Sequence, residues 1–201
     1  MKQTQKQLYM AKRTAGFTLI EVLIAVVIFS SSLAGMLLLV GTGIGNVNVA
    51  KDRLIANYLA QEGIELLRYK RDYMTVTNGS SGWNNFTGLF SAIGDTTINN
   101  FPYKGPFGVS PIHPLDTPKD CGSNDPTACQ IVVDQNGSAA TGAYTIKGDA
   151  PASWTPTKFT RKLYLGGTNS VDSYVIISEV TWSDANQTYS VKMSETLYNW
   201  L

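Results

Sequence analysis

From Phe17 to Val40 the chain reads FTLIEVLIAVVIFSSSLAGMLLLV, and beyond Glu21 that run holds neither a charge nor a proline. A hydrocarbon core about 30 Å thick is crossed by about 20 helical residues. The run is therefore long enough to span a bilayer, where a single segment must be helical to satisfy its own backbone groups. Its one carboxylate, Glu21, lies near the start. A charge near lipid costs a few kcal/mol unless it finds a partner, which makes Glu21 a functional candidate; the simpler alternative is a carboxylate that snorkels to the interface.

The fifteen residues before Gly16 include Lys2, Lys6, Lys12 and Arg13 and no acid, so the positive-inside bias assigns this end to the cytoplasm and the remainder to the outside. A secretory signal is cut after its apolar stretch, whereas here the small residue Gly16 precedes that stretch. Cleavage at Gly16 would leave the apolar helix on the mature chain. The segment AGFTLIEVLIA, Ala15 to Ala25, resembles the class III leader of type IV prepilins and of the pseudopilins of type II secretion. The resemblance implies that a membrane-embedded prepilin peptidase/methyltransferase cuts between Gly16 and Phe17 and methylates the new amine of Phe17. It also implies an assembly role for Glu21, whose carboxylate would meet the amine of a neighbouring subunit's Phe17. Each charge alone is costly in an apolar bundle, so such a pair would specify axial register more than stability. The implied partners are the peptidase, other pilin subunits in a helical homo- or hetero-polymer, the inner membrane before assembly, and an inner-membrane assembly platform. The implied location is the bacterial inner membrane, crossed once with the N-terminus cytoplasmic, and then an extracellular or periplasmic fibre. At position 38, where many major pilins carry a proline, this chain has Leu38, which favours a minor pilin or pseudopilin.

The organisation expected is a leader at 1–16, a transmembrane and assembly helix at 17–45, an amphipathic outer half of that helix at 46–77, and a globular head at 78–201. Gly41, Gly43 and Gly45 each cost about 1 kcal/mol against alanine in a helix, making this the natural place for a bend. Beyond them Leu54, Ile55, Tyr58, Leu59, Leu66 and Leu67 recur at three- and four-residue spacing, with Ala56, Ala60 and Gly63 as small neighbours, which reads as a helix laid on a sheet. Glu62, Glu65, Arg68, Lys70 and Arg71 read as its solvated face. Residues 78–157 are rich in glycine, asparagine, serine, threonine and proline, with apolar islands at Phe86–Ile93 and Gln130–Val133, and read as loops with short strands or turns. Within 158–201, Lys158–Leu165, Ser173–Trp182 and Thr188–Leu197 are β-branched, aromatic and alternating, which predicts three antiparallel strands, with Trp200 and Leu201 buried at the sheet edge. The fold class expected is α+β: a long N-terminal helix, its inner half transmembrane, packed on a C-terminal antiparallel sheet, in the pilin manner.

Cys121 and Cys129 are the only cysteines and stand close together in a proline-containing loop, which outside the cytoplasm reads as a disulfide. Closing so short a loop contributes about 2 to 3 kcal/mol by chain entropy. Enzyme chemistry finds little support. His113 is the single histidine, and its neighbours Ser110 and Asp116 have no triad spacing. Asp116, Asp120, Asn124 and Asp125 offer oxygen ligands for calcium but lack the calcium-loop pattern, so no cofactor is assigned. Asn78, Asn85, Asn136 and Asn186 each begin an Asn-x-Ser/Thr tripeptide, for which turn chemistry is the simpler reading. Loss of the leader removes four of 16 basic residues and none of 15 acids, leaving 12 against 15, so nucleic acid is disfavoured as a partner. Lys158, Arg161 and Lys162 beside Phe159 and Tyr164 make a thin basic and aromatic cluster of the kind a tip adhesin or nucleic-acid receptor would use, and an exposed strand face explains them equally well.

Overall fold

The computed structural model of the chain describes residues 16–98, 101–122, 127–135, 143–167, 172–184 and 187–200. The expectations placed on Lys2, Lys6, Lys12, Arg13, Asn124, Asp125, Asn136, Asn186 and Leu201 lie outside these residues. Helix α1 runs Leu19–Asn78, 60 residues, and is followed by the short helix α2, Gly82–Gly88. Gly41, Gly43 and Gly45 lie within α1 in helical conformation rather than at a break. Three glycines at about 1 kcal/mol each weaken a helix locally, but ending it there would require a second, unfavourable nucleation.

The chain divides into two compact units, 1–49 and 50–201. In the first, the most apolar 18-residue window of α1 has a mean hydropathy of 2.6, and none of it is buried among the described residues. The hydroxyls of Ser31 and Ser32 each donate to the Ile28 carbonyl at 2.9 Å, so these polar groups are satisfied within the helix.

In the second unit the strands are β1 (Asp95–Ile98), β2 (Phe101–Gly108), β3 (Lys119–Asp120), β4 (Gln130–Val133), β5 (Tyr144–Ile146), β6 (Thr155–Gly167), β7 (Ser173–Asp184) and β8 (Gln187–Tyr198). They form one eight-stranded antiparallel sheet, so the protein is α+β as its sequence implies. The three predicted C-terminal strands are β6, β7 and β8, in register from Phe159↔Trp182 to Gly167↔Tyr174 and from Ser173↔Tyr198 to Asp184↔Gln187. Strand β6 is the hub: one half of its far side pairs with β2 and the other with β4, while β1 and β3 extend β2 and β5 extends β4. At Gly105 φ is +139°, and a Cβ there would stand 2.7 Å from the Leu163 carbonyl oxygen, so β2 can lie this close to β6 only with glycine.

The face of α1 turned to the sheet differs from the expected stripe. Ala56, Leu59, Ala60, Ile64 and Leu67 are buried, whereas Leu54 is 55 % and Tyr58 64 % exposed. The small residues decide this. A Cβ on Gly63 would meet Leu163 Cδ2 and Ser178 Oγ at 2.8 Å, so the helix approaches β6 and β7 more closely than a face of large residues permits. The segment expected to be loop supplies much of the core. Within it α2 buries Trp83 and Phe86, which stack onward through Phe90 to Phe107 with ring centroids 5.9, 5.3 and 4.9 Å apart. Burying each such ring contributes about 1.5 to 3 kcal/mol. Phe86–Ile93 is thus a helical turn on the core, whereas Gln130–Val133 is the strand β4. Trp200, expected to be buried, is 53 % exposed.

The charges expected on a solvated helix face are partly interior. Arg161, wholly buried, pairs with the Glu62 carboxylate and donates to the carbonyls of Leu59 at 3.2 Å and Val109 at 3.0 Å. Glu62 also accepts from the Tyr144 hydroxyl at 2.7 Å; desolvation first, and this carboxylate second, push Tyr144 up to about 12. Lys70 is buried as well and donates to the carbonyls of Pro114 (3.0 Å) and Asp116. Burial lowers its pKa to about 8 despite the nearby charges of Asp116 and Asp149. Arg68 bridges Glu65 one turn back and Glu195 on β8, which hold its guanidinium above its ordinary value. A charge with a hydrogen-bonded partner tolerates burial that an isolated one does not, and periodicity alone carries no sign of which charges have partners across the sheet.

Candidate processing and assembly segment

Gly16, Phe17 and Thr18 precede the first turn of α1 without regular structure, and all three are exposed, Phe17 at 82 %. An exposed, non-helical dipeptide is the form in which a peptide bond is accessible to a peptidase, because a helical carbonyl is already engaged. The Gly16–Phe17 bond therefore lies on the open side of the helix start. Helix initiation depends on Thr18, whose carbonyl accepts from the Glu21 amide at 3.1 Å and whose hydroxyl faces the same amide at 3.4 Å. Thr18 thus stands as the N-cap three residues before Glu21, the T-x-x-E pattern of a capping box. Sequence reasoning passed over Thr18, although that spacing was legible. Glu21 occupies the first turn, where the unpaired amides of the helix start favour a negative charge by about 0.3 to 1 kcal/mol. Phe17, Glu21, Val22, Ala25, Val26 and Phe29 line one shallow apolar face on which, among the described residues, the Glu21 carboxylate is the only charged side chain. Within one chain, then, Glu21 meets the helix terminus, and the geometry leaves its carboxylate outward.

The remaining candidates lie in the 50–201 unit. Cys121 and Cys129 are joined by a disulfide with Cα atoms 5.6 Å apart, and both are buried. His113 is exposed, and its backbone amide, not its ring, meets the Ser110 hydroxyl, which is 2.8 Å from Thr145 Oγ1; no triad forms with Asp116. Among the described residues no three His, Cys, Asp or Glu side chains converge on a metal position. Asp120 Oδ1 accepts from the Gly122 amide, and Asp116 serves Lys70 through its carbonyl. The basic and aromatic cluster is divided between the two faces of β6. Arg161 and Phe159 are buried on one face, while Lys158, Lys162 and Tyr164 fall on the other, where Tyr164 bonds Glu179 at 3.3 Å and Lys158 pairs with Asp52 at 2.5 Å.

Residues 11–37, which contain Gly16, Phe17 and Glu21, match the family described as the prokaryotic N-terminal methylation motif, the class III leader of type IV pilins and pseudopilins. The match supports a type IV pilin-like or pseudopilin subunit, and with the apolar helix it fits an inner-membrane anchor. No curated protein and no solved structure matches the chain.

Proposed function

We propose that this chain is a subunit, of the minor-pilin kind, of a type IV pilus. Prepilin peptidase cuts between Gly16 and Phe17 and methylates Phe17, and the mature chain leaves the membrane sideways to pack with other pilin subunits through α1. One observation carries the reading: the methylation motif at 11–37 covers the start of a 60-residue helix whose apolar span is left unburied among the described residues. Such a span requires lipid or other helices around it. Glu21 is the register residue, since its carboxylate is the one charge on its apolar face and a neighbour's methylated amine is the cation that would neutralise it. A second reading is a pseudopilin of a type II secretion or DNA-uptake system, which Leu38, where many major pilins carry proline, favours equally with a minor pilin. A tip adhesin or nucleic-acid receptor would have Lys158, Lys162 and Tyr164 on one face of β6 to work with, without the buried Phe159 and Arg161.

Mass spectrometry of the mature N-terminus tests the processing step, and any first residue other than methylated Phe17 overturns it. The Glu21→Ala chain should be inserted and cleaved normally yet be depleted in sheared fibres; equal recovery of mutant and parent would remove the register role. Recovery of the parent in sheared surface fibres separates a pilus from a pseudopilin, which stays with the envelope.

A further inference from the structure

Helix α2 and the turn after it present two faces. Trp83, Phe86 and Phe90 enter the core, whereas Asn84, Thr87, Gly88 and Ser91 recur at three- and four-residue spacing and make a polar stripe on the flank. That stripe borders a cleft of about 600 Å³, with Asp95 on β1 and Lys104 on β2 as its other wall and Phe90, Leu165 and Tyr174 as its floor. The volume is that of a small-molecule site, and a few polar groups over an apolar floor are the usual make-up of one. The apolar groove that Ile55, Tyr58 and Phe159 line beside α1 has no such mixture.

The two charges of the cleft cancel. Asp95 and Lys104 are direct partners in the β1–β2 register and their side chains meet at 2.7 Å, so an ion of either sign finds no uncompensated opposite charge. Lys104 is in turn the register partner of Leu165, which sets the ion pair beside the apolar floor on one face of the sheet. Among the described residues, no hydrogen bond engages the Asn84 side-chain amide, the Ser91 hydroxyl or the Tyr174 hydroxyl. The amide brings two donors and an acceptor, and each hydroxyl both donates and accepts. The floor is held in place by its own packing: the Tyr174 ring lies against Trp83 with centroids 5.6 Å apart, and Trp83 against Phe86 at 5.9 Å. A floor fixed in this way needs no ordering when a ligand arrives.

We propose that the cleft between α2 and β1–β2 binds a neutral pyranoside, the terminal sugar of a glycan. A pyranose ring has an apolar C–H face, which the floor of Phe90, Leu165 and Tyr174 covers, and a rim of hydroxyls that each donate and accept. Asn84, Ser91 and Tyr174 supply groups of the same double character, and the Asp95 carboxylate accepts beside them. A hydrocarbon ligand would strip water from these groups and return no hydrogen bond, at a cost a sugar does not incur. The site uses no residue of the 1–49 unit, so it does not rest on the pilus-subunit reading.

The test uses the full chain in a detergent without a sugar headgroup, with the methyl pyranosides of glucose, galactose, mannose and N-acetylglucosamine as probes, titrated and read by saturation-transfer NMR. At least one of the four should bind saturably. Asn84→Ala and Ser91→Ala, both at exposed positions that the fold does not need, should each weaken that binding about two- to tenfold, the worth of one hydrogen bond. Tyr174→Phe, which keeps the ring and removes the hydroxyl, should do the same. Ser183→Ala, nine residues along β7 from Tyr174 and so about 30 Å away, should change nothing. Binding of none of the four, binding undiminished by Asn84→Ala and Ser91→Ala, or an equal loss from Ser183→Ala would overturn the proposal. Tighter binding of free phenylalanine than of any pyranoside would also overturn it, assigning the Asp95–Lys104 pair to a zwitterion. A methylated Phe17 in a chain that binds no pyranoside would leave the pilus-subunit reading intact, and pyranoside binding by a chain that is never methylated would leave the sugar site intact.

Discussion

Arg161 shows how far a single residue can be from what its neighbours in sequence suggest. It sits in a run with Lys158 and Lys162, yet it is the largest fully buried side chain of the head, and its charge is neutralised by Glu62 from α1. Breaking such a pair from one side strands a charge in the core. Glu62→Ala should therefore destabilise the head by about 3 to 5 kcal/mol, and adding Arg161→Met to that variant should recover part of the loss, as read by denaturant unfolding in detergent. A double variant no more stable than Glu62→Ala would deny the coupling. Lys70 makes a different prediction, because its folded pKa is about 8 against an ordinary 10.5. Between those values the unfolded chain holds a proton that the folded chain has lost, so stability rises with pH in that window. Tyr144 and Tyr164, each pushed up to about 12 from 10, act oppositely: above pH 10 the folded chain keeps protons that the unfolded chain releases, and stability falls. Thermal melts should peak near pH 10 by this reckoning, and Lys70→Met should abolish the rise from pH 8; a rise that survives the substitution would assign it elsewhere.

At the scale of elements, the decisive contact is the crossing of α1 over β6 and β7. Gly63 sets its depth, since any Cβ there collides with Leu163 and Ser178. Gly63→Val should lift the helix and cost about 1 to 3 kcal/mol by overpacking, seen as a lower denaturant midpoint. An unchanged midpoint would mean that the crossing is looser than the geometry states. The same close approach turns the large residues Leu54 and Tyr58 outward and so creates the apolar groove. Helix periodicity alone had put them on the buried face, because a count of apolar positions does not weigh the size of the small ones between them.

For the whole molecule, the division into 1–49 and 50–201 separates an apolar helix whose most apolar window is unburied among the described residues from a unit with a hydrophobic core of its own. A chain beginning near Asn48 and exported to an oxidising compartment should fold as a soluble monomer with Cys121 bonded to Cys129. Gel filtration reports the monomer, and thiol labelling of the denatured protein reports the bond. Obligatory aggregation would show that the outer half of α1 depends on its membrane half, and two reactive thiols would deny the disulfide.

The sequence by itself determined the features that depend on local order of residues. A run of apolar residues exceeds a bilayer's thickness whatever follows it, the Gly-Phe junction stands at a fixed spacing before Glu21, and alternation along β6, β7 and β8 predicts strands without knowledge of their partners. The tertiary structure decided what depends on contacts between distant segments. It turned α1 by its small residues, drew Trp83, Phe86 and Phe90 from an apparently polar loop into the core, took Arg161 and Lys70 out of water, and set Glu62 against Arg161. Burial of a charge is tolerable only when a partner arrives from elsewhere in the chain, and that arrival is a property of the fold, not of any window of sequence.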